Sequence, residues 1–262
     1  MESKNRPLRI GIVRTDGHVR PLPPVERLMT EVTGLLNTAK NIETIGIDVS
    51  SILSKALKTF NGIVSIDGAN TWFDHLATTG EPLSPWLQGR LTRRPPKTLD
   101  QVRNLHGEKL ALQAEFLKVW RKNGGFWRSA DCKDSEQDDR DLDALIMPVA
   151  PHPVLPIDRW NTVNYTGALN LLDLSTGVVP VRAFTEEDMR GEVPDTKPLN
   201  AWDKVNRSHW TEIDRSVYVG SPLSIQVVTP RLTERKLLGA MAVIDQALKT
   251  SGVRNESRSS KL

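Results

Sequence analysis

The chain has 262 residues, of which 38% are hydrophobic and 26% are charged, and its formal net charge is +3. Such a length supports one large domain or two small ones with a substantial core, and the composition excludes a membrane-embedded or broadly disordered chain. No apolar run approaches the roughly 20 residues that a membrane span needs, and nothing near the start is typical of a signal peptide.

Neither the charge pattern nor the residues that commonly bind metals indicate a polyanionic partner, a metal or a cofactor. The densest basic cluster, RLTRRPPK at residues 90–97, contains prolines that favour a solvated loop. Cys132 is the one cysteine, which excludes a disulfide framework and a cysteine-based zinc site. The acidic residues around Asp141 lack the spacing of a calcium loop, and the five histidines lie far apart. We therefore expect no nucleic-acid partner, no metal and no cofactor.

The first third of the chain predicts a βαβ unit. Apolar residues alternate in Leu8–Val13 and again from Ile45 to Val49, as in half-buried strands. Between them, Val25–Ala39 carries apolar residues at a spacing of 3.6, which predicts an amphipathic helix. The order strand, helix, strand favours parallel pairing.

Three more helices are predicted before the middle of the chain. Ser50 or Ser51 is expected to cap the first of them, and the second ends near Gly80. A capping box at Thr98–Gln101 opens the longest helix, Leu99 to about Lys122.

The central stretch, residues 143–181, predicts a strand that leads into a stiff loop. Ala144–Val149 is a short apolar run, and four prolines, at positions 148, 151, 153 and 156, end regular pairing. Thr166–Leu174 is predicted to form a helix and Val178–Val181 a second strand. A strand, a rigid loop and a helix that packs back form the crevice of an open α/β sheet. A pocket is therefore expected here.

The last third predicts one further strand and a closing helix. Residues 185–218 are polar and irregular in pattern, although Trp202 and Trp210 indicate that part of the segment packs. Leu223–Val228 is predicted to form a strand, and Glu234–Leu248 carries one apolar face. We predict a single α/β domain over residues 7–250, with disordered ends at residues 1–6 and 251–262.

Four segments in this order resemble the C-terminal half of the amidase signature family, in its fungal acetamidase-like form. They are PLRIGIV from residue 7, FNGIVSIDGANTWFDHLATTGEPLSP from residue 60, DALIMPVAPHPVLP from residue 143 with NYTGALNLLDLSTGVVPV from residue 164, and GSPLSIQVVTPRLTERKLL from residue 220. The resemblance implies a mixed β-sheet covered by helices, present here in part. It also implies a serine-based hydrolase of carboxylic amides.

In that family a lysine activates a bridging serine, which activates the nucleophilic serine, and all three lie in a Gly/Ser-rich region of the N-terminal half. This sequence contains no GGSSGG-like run, and its nearest counterpart is Gly220–Ser221–Pro222. Ser50 beside Lys55 is interpreted as a helix cap, and Ser221 as a turn residue. No catalytic residue is therefore assigned, and the chain is predicted to be catalytically incomplete alone.

The predicted substrate-binding residues lie on and after the proline-rich loop. Pro151 and His152 occupy the loop itself, where the resemblance implies that it shapes a pocket and transfers no proton. Tyr165, Thr166 and Asn170 follow it and could orient a ligand through their polar groups. The expected ligand is a small amide or ester.

Three interpretations of function remain open from the sequence. The chain could act with a partner that supplies an N-terminal half, or as a homo-oligomer, with no membrane attachment. It could instead be a non-enzymatic binding or scaffold protein that uses the same crevice, or an amide hydrolase of a fungal specialised-metabolite pathway. A cytoplasmic location is expected, with the peroxisome as an alternative because the last three residues are Ser-Lys-Leu.

Overall fold

The computed structural model describes residues 6–85, 87–88, 91–128, 141–157, 159 and 162–252. The predictions for Cys132 and for most of the two terminal segments lie outside these residues. The described strands are β1 (Leu8–Ile12), β2 (Ile42–Gly46), β3 (Ala144–Pro148), β4 (Ser175–Ala183) and β5 (Pro222–Thr229). The described helices are α1 (Pro23–Thr38), α2 (Ser50–Val64), α3 (Asn70–Thr79), α4 (Leu99–Phe116), α5 (Asn164–Leu172), α6 (Ala201–Thr211) and α7 (Glu234–Thr250).

The five strands form one mixed sheet in the order β2-β1-β3-β5-β4. β1 pairs in parallel with β2 and with β3, which confirms the predicted βαβ unit. β5 runs antiparallel to both β3 and β4. The carboxyl ends of β1 and β3 therefore lie side by side at one edge of the sheet.

The sheet separates two hydrophobic cores because successive side chains of a strand point to opposite faces. Ile10 and Ile12 of β1 enter the first core, which β1 shares with α1 and α7. Leu145 and Met147 of β3 enter the second core on the opposite face, which α2, α4 and α5 cover. β3 is buried along its whole length because helices cover both of its faces.

Several predicted boundaries differ from the structure. The predicted capping box at the start of α4 is present. The helix ends at Phe116, earlier than predicted, and continues as a 3₁₀ turn over Leu117–Trp120. The prediction that Ser50 or Ser51 caps α2 is wrong, because Val49 is the N-cap residue and the Asp48 carboxylate accepts the backbone N–H of Ser50 at 3.0 Å. The Ser50 hydroxyl instead donates to Asp48 at 2.7 Å.

The prediction of an irregular segment over residues 185–218 is wrong. The segment contains α6, together with 3₁₀ turns at Glu186–Met189 and Arg215–Tyr218. Asn200 caps α6, since its side-chain oxygen accepts the backbone N–H groups of Trp202 and Asp203. Within the described part of the chain, no helix is both long and apolar enough to cross a membrane.

Candidate functional site

Two loops leave the carboxyl ends of adjacent parallel strands and meet. We call residues 13–22 the β1–α1 loop and residues 149–157 the β3–α5 loop. The backbone N–H of Leu22 donates to the carbonyl of Pro151 at 2.7 Å and ties them together. Open α/β sheets bind ligands in the crevice beyond the carboxyl ends of their strands, so this position is where a site is expected.

The β1–α1 loop turns sharply at Asp16 and Gly17. One carboxylate oxygen of Asp16 accepts the N–H groups of His18 and Val19, at 2.8 and 2.9 Å. Gly17 has φ of +73°, and a Cβ at this position would lie 2.3 Å from that of Ser50. Asp16 is buried, and this burial raises its pKa above the ordinary value of 3.8. The loop thus depends on a carboxyl group held in an unfavourable environment for its charge.

Tyr165 of α5 anchors the β1–α1 loop. Its hydroxyl donates to the carbonyl of Val19 at 2.9 Å, and its ring is buried in the second core. Burial raises the pKa of the Tyr165 hydroxyl well above 10.0, and the nearby Asp16 raises it further. The Nε2 of Gln226 donates to the carbonyls of Pro148 and Tyr165, at 2.8 and 3.1 Å. These contacts hold the start of α5 against the end of β3.

α6 holds the β1–α1 loop from the other side through polar side chains. Asp203 accepts the backbone N–H of Arg20 at 2.9 Å, and Asn206 donates to the Arg20 carbonyl at 2.9 Å. Asn200 donates to the carbonyl of His18 at 2.8 Å. These three supports were not predicted, because the segment shows no hydrophobic period that indicates a helix. The signal that could have found them is the N-cap pattern of Asn200 followed three residues later by an acid.

A cavity of about 280 Å³ opens beside the β3–α5 loop. Its walls come from α1, the β3–α5 loop, β4 and β5, and they include Val178, Leu223 and Ser224. His152 also lines it, with Nδ1 2.8 Å from the carbonyl of Pro153. The His152 ring meets that of His209 edge to face at 5.9 Å. The imidazole is therefore buried in a packed setting at the cavity wall.

The five predicted substrate-binding residues are dispersed over this region. His152 lines the cavity, and Pro151 lies next to it on the contact with Leu22. Tyr165 is buried below the loops, Thr166 is half-buried with its hydroxyl bonded to the Val163 carbonyl, and Asn170 is exposed on α5. A role in ligand binding stays a prediction for each of them.

The serines considered in the sequence serve local structure. The Ser221 N–H donates to the Tyr218 carbonyl at 3.0 Å, in a turn where Gly220 has φ of +85°. Among the residues that the structure describes, no group of three or more His, Cys, Asp or Glu side chains could hold a metal ion.

Replacing Asp16 with asparagine tests the strain at this turn. Because the folded-state pKa of Asp16 is raised, its carboxyl contributes stability below its unfolded pKa and loses it as pH rises through the folded value. An asparagine side chain would keep an oxygen for the two N–H groups without the charge. We therefore expect Asp16→Asn to gain stability relative to the parent as the pH rises from below 3.8 to neutral. Its free energy of unfolding, minus that of the parent, should be larger at neutral pH.

Asp214 provides a control of opposite sign. Hydrogen bonds from the backbone and hydroxyl of Ser216 lower the pKa of this exposed carboxyl. The Asp214→Asn variant should therefore lose stability relative to the parent as pH rises from acid to neutral. Urea unfolding at both pH values measures the two differences, and the same sign for both variants would contradict the assignment at Asp16.

The geometry defines an α/β domain in which two loops meet beyond the ends of parallel strands. A family model described as Amidase matches residues 1–238. The chain therefore belongs to the amidase family, which confirms the resemblance seen in its four segments.

Curated relatives include fungal acetamidases. The chain is 28% identical over 234 residues to the acetamidase of Aspergillus oryzae, covering 89% of this chain and 40% of the relative. It is 26% identical over 246 residues to the acetamidase of Emericella nidulans, covering 94% of this chain and 42% of the relative. The chain thus spans about two fifths of the length of these relatives.

Solved structures agree on the fold. A fatty acid amide hydrolase superposes with a TM-score of 0.74 at 21% identity, covering 92% of this chain and 40% of that protein. The allophanate hydrolase of Kluyveromyces lactis gives a TM-score of 0.52 at 13% identity, covering 95% of this chain and 33% of that protein. The described sheet and helices are therefore part of the amidase-signature fold.

Proposed function

We propose that this chain supplies the substrate crevice of a serine-type amide hydrolase and needs a second segment for its chemistry. The observation that carries the proposal is the family match over residues 1–238 in a sequence without a GGSSGG-like run. Loss of the nucleophile and its base removes most of the rate enhancement of a catalytic triad. The chain alone is then catalytically incomplete, and an amidase N-terminal segment provides the lysine and the two serines.

In this proposal the two loops have different roles in binding an amide. His152 and the backbone near Pro151 border the cavity and meet the ligand, whereas Tyr165 keeps the β1–α1 loop in place through Val19. Thr166 and Asn170 lie on the half-buried and exposed sides of α5, where the second segment could bring substrate groups to them. The proposed hydrolysis uses water as its only co-substrate.

The outer edge of β4 is the proposed contact for the second segment. β2 is partly covered on its outer side, because the N–H of Asp48 donates to Phe126 and that of Arg128 donates to Gly46, each at 2.9 Å. β4 has nine residues, and no described strand pairs with its outer edge. Its exposed Val178 adds apolar surface, and Pro180 has no N–H to offer a neighbouring strand. Strand addition is therefore expected along the first half of β4.

Reconstitution tests the proposed function. The purified chain is assayed with a panel of primary amides and with a serine-reactive fluorophosphonate probe. The assays are repeated after co-expression with the part of the Aspergillus oryzae acetamidase that lies outside the matched region. We expect neither turnover nor labelling from the chain alone, and both from the pair, with the label on a serine of the added segment.

Two outcomes would contradict this proposal. Stoichiometric labelling and turnover by the chain alone would show a nucleophile within the present sequence. A stable pair that binds amides without turnover would favour the non-enzymatic binding protein. The matched control is the added segment expressed alone, which must be inactive for the comparison to count.

A further inference from the structure

We propose that the N-terminus of α5 binds a carboxylate, so that the amide bound in the crevice carries a carboxylate as its second functional group. This inference rests on the proposed function, because it names the substrate class of that crevice. The observations behind it are a helix start without a side-chain cap and two buried polar side chains beside it, Thr162 and Asn164. Neither side chain lines the cavity beside His152.

The start of α5 presents backbone hydrogen-bond donors. The first N–H groups of a helix have no acceptor within the helix, and no side chain caps α5 at Val163. The Val163 carbonyl accepts the N–H groups of Thr166 and Gly167, at 3.2 and 2.6 Å. The N–H groups of Asn164 and Tyr165 therefore point out of the helix start. Aligned peptide dipoles place partial positive charge there, which favours an anion.

Two polar side chains at the same place are buried without a partner. Thr162 is 5% exposed and Asn164 is 6% exposed. Among the described residues, neither the Thr162 hydroxyl nor the Asn164 Nδ2 has a hydrogen-bond partner. Side chains of a helix lean towards its N-terminus, so the Asn164 amide is directed to the same side as the backbone donors. A buried polar group without a partner destabilises the fold, and a ligand that pairs with it removes that penalty.

Together these groups match one carboxylate. They are two backbone N–H groups, the side-chain Nδ2 of Asn164 and the Thr162 hydroxyl, and each of them can donate to oxygen. A carboxylate accepts through both of its oxygens. None of the four groups is charged, so a single negative charge suits the partial charge of the helix end better than the double charge of a phosphate.

The first turn of α5 is held in place next to the end of β3. The Nε2 of Gln226 donates to the carbonyl of Pro148 at 2.8 Å and to that of Tyr165 at 3.1 Å. Gly167 lets α5 approach α2 closely, since a Cβ there would lie 2.9 Å from the ring of Phe60. The donors are thus fixed before a ligand arrives, which lowers the entropic cost of binding. They lie near the carboxyl end of a strand, where open α/β sheets bind ligands.

Binding of succinamate and succinamide to the full chain tests the inference. The two molecules share one carbon chain and differ in a carboxylate against an amide. In nitrogen–proton correlation NMR spectra, succinamate should shift the backbone signals of Asn164 and Tyr165 and the side-chain amide signals of Asn164. It should also bind about tenfold more tightly than succinamide, because hydrogen bonds to a charged group are stronger. Equal affinity, or shifts confined to other residues, would overturn the inference, and a buried water on these donors gives that result.

Two substitutions locate the site. Thr162→Val removes a hydroxyl that has no partner among the described residues. We therefore expect unchanged or higher stability together with about tenfold weaker succinamate binding. Asn164→Asp adds a negative charge that suits a helix N-terminus but repels the ligand carboxylate. It should weaken succinamate binding by a similar factor, and it provides a second variant if Thr162→Val fails to fold.

Thr59→Val is the matched control for Thr162→Val. Thr59 is also buried, but its hydroxyl donates to Glu108 at 3.1 Å. Its replacement should lower the free energy of unfolding and leave succinamate binding unchanged. Unchanged succinamate binding in both Thr162→Val and Asn164→Asp would contradict the assignment to α5.

The inference and the proposed function fail in different ways. If the reconstituted pair hydrolyses succinamide and succinamate equally well, and Thr162→Val changes neither rate, the hydrolase stands and the carboxylate site is wrong. If the chain binds succinamate at α5 but the pair hydrolyses no amide, the carboxylate site stands and hydrolysis is the part that fails.

Discussion

Replacing Trp210 with alanine is expected to lower the free energy of unfolding by about 3–5 kcal/mol, the range for removal of a large buried aromatic side chain. Trp210 is 1% exposed in the first core. Its ring stacks on Tyr218 at 6.5 Å, and the guanidinium of Arg215 lies 4.2 Å from its centroid. Its indole N–H donates to the carbonyl of Gly191 at 2.9 Å. The substitution removes packing, a cation–π contact and a hydrogen bond together.

Trp202→Ala on the same helix is the matched control for Trp210→Ala. Trp202 is 41% exposed, so its truncation leaves a smaller cavity and a smaller loss of buried area. Urea unfolding followed by tryptophan fluorescence and by circular dichroism measures both variants. A loss of stability in Trp210→Ala no larger than that in Trp202→Ala would show that α6 does not pack as described.

Replacing Asp203 with alanine is expected to destabilise the fold by about 3–5 kcal/mol, because it breaks a buried charged network from one side. Asp203 is fully buried, with 0% exposure, and accepts the backbone N–H groups of Arg20 and Leu199 at 2.9 Å. It also pairs with Arg207, whose Nε lies 3.2 Å from its carboxylate. Its removal leaves two N–H groups and a guanidinium without these acceptors.

The Asp203 variant also tests the link between α6 and the site. Since Asp203 holds the backbone of the β1–α1 loop, the amide of Arg20 should exchange hydrogen faster in Asp203→Ala, and amide ligands should bind more weakly. Asp195→Ala is the control, because Asp195 is exposed on the preceding loop. Equal unfolding midpoints for the two variants would contradict a supporting role for Asp203.

Sequence periodicity was sufficient to predict a helix or a strand where one face of the element is apolar. α1 shows this most clearly, because Leu28, Met29, Val32 and Leu36 are all buried in the first core. The parallel pairing of β1 with β2 followed from the order strand, helix, strand, and the register places Ile10 opposite Thr44. The position of the crevice followed in the same way, from a strand that ends in a proline-rich loop.

α6 shows where that reasoning stops. Its buried residues are Asp203, Asn206, His209 and Trp210. Three of these four are polar, so the face that packs has no hydrophobic period to detect. Asp203 and Asn206 are buried because the backbone N–H and carbonyl of Arg20, distant in sequence, pair with them. A local pattern carries no information about such partners.

Tyr165 marks the same limit within the site. Its ligand contact stays a prediction, and its hydroxyl donates to the carbonyl of Val19, 146 positions away in sequence, a contact that no local pattern indicates. Conversely, Val178 appeared only as a strand residue, and its place on the cavity wall depends on how β4, β5 and the β3–α5 loop come together.

By itself, the sequence determined the helices and strands with one apolar face, the family, and the loop at which a crevice forms, because these depend on local residue order. Tertiary structure decided the strand order β2-β1-β3-β5-β4, the antiparallel place of β5, the support from α6 and the apolar wall beside His152. Each of these depends on contacts between residues far apart in the chain, where packing and the pairing of buried polar groups select the arrangement.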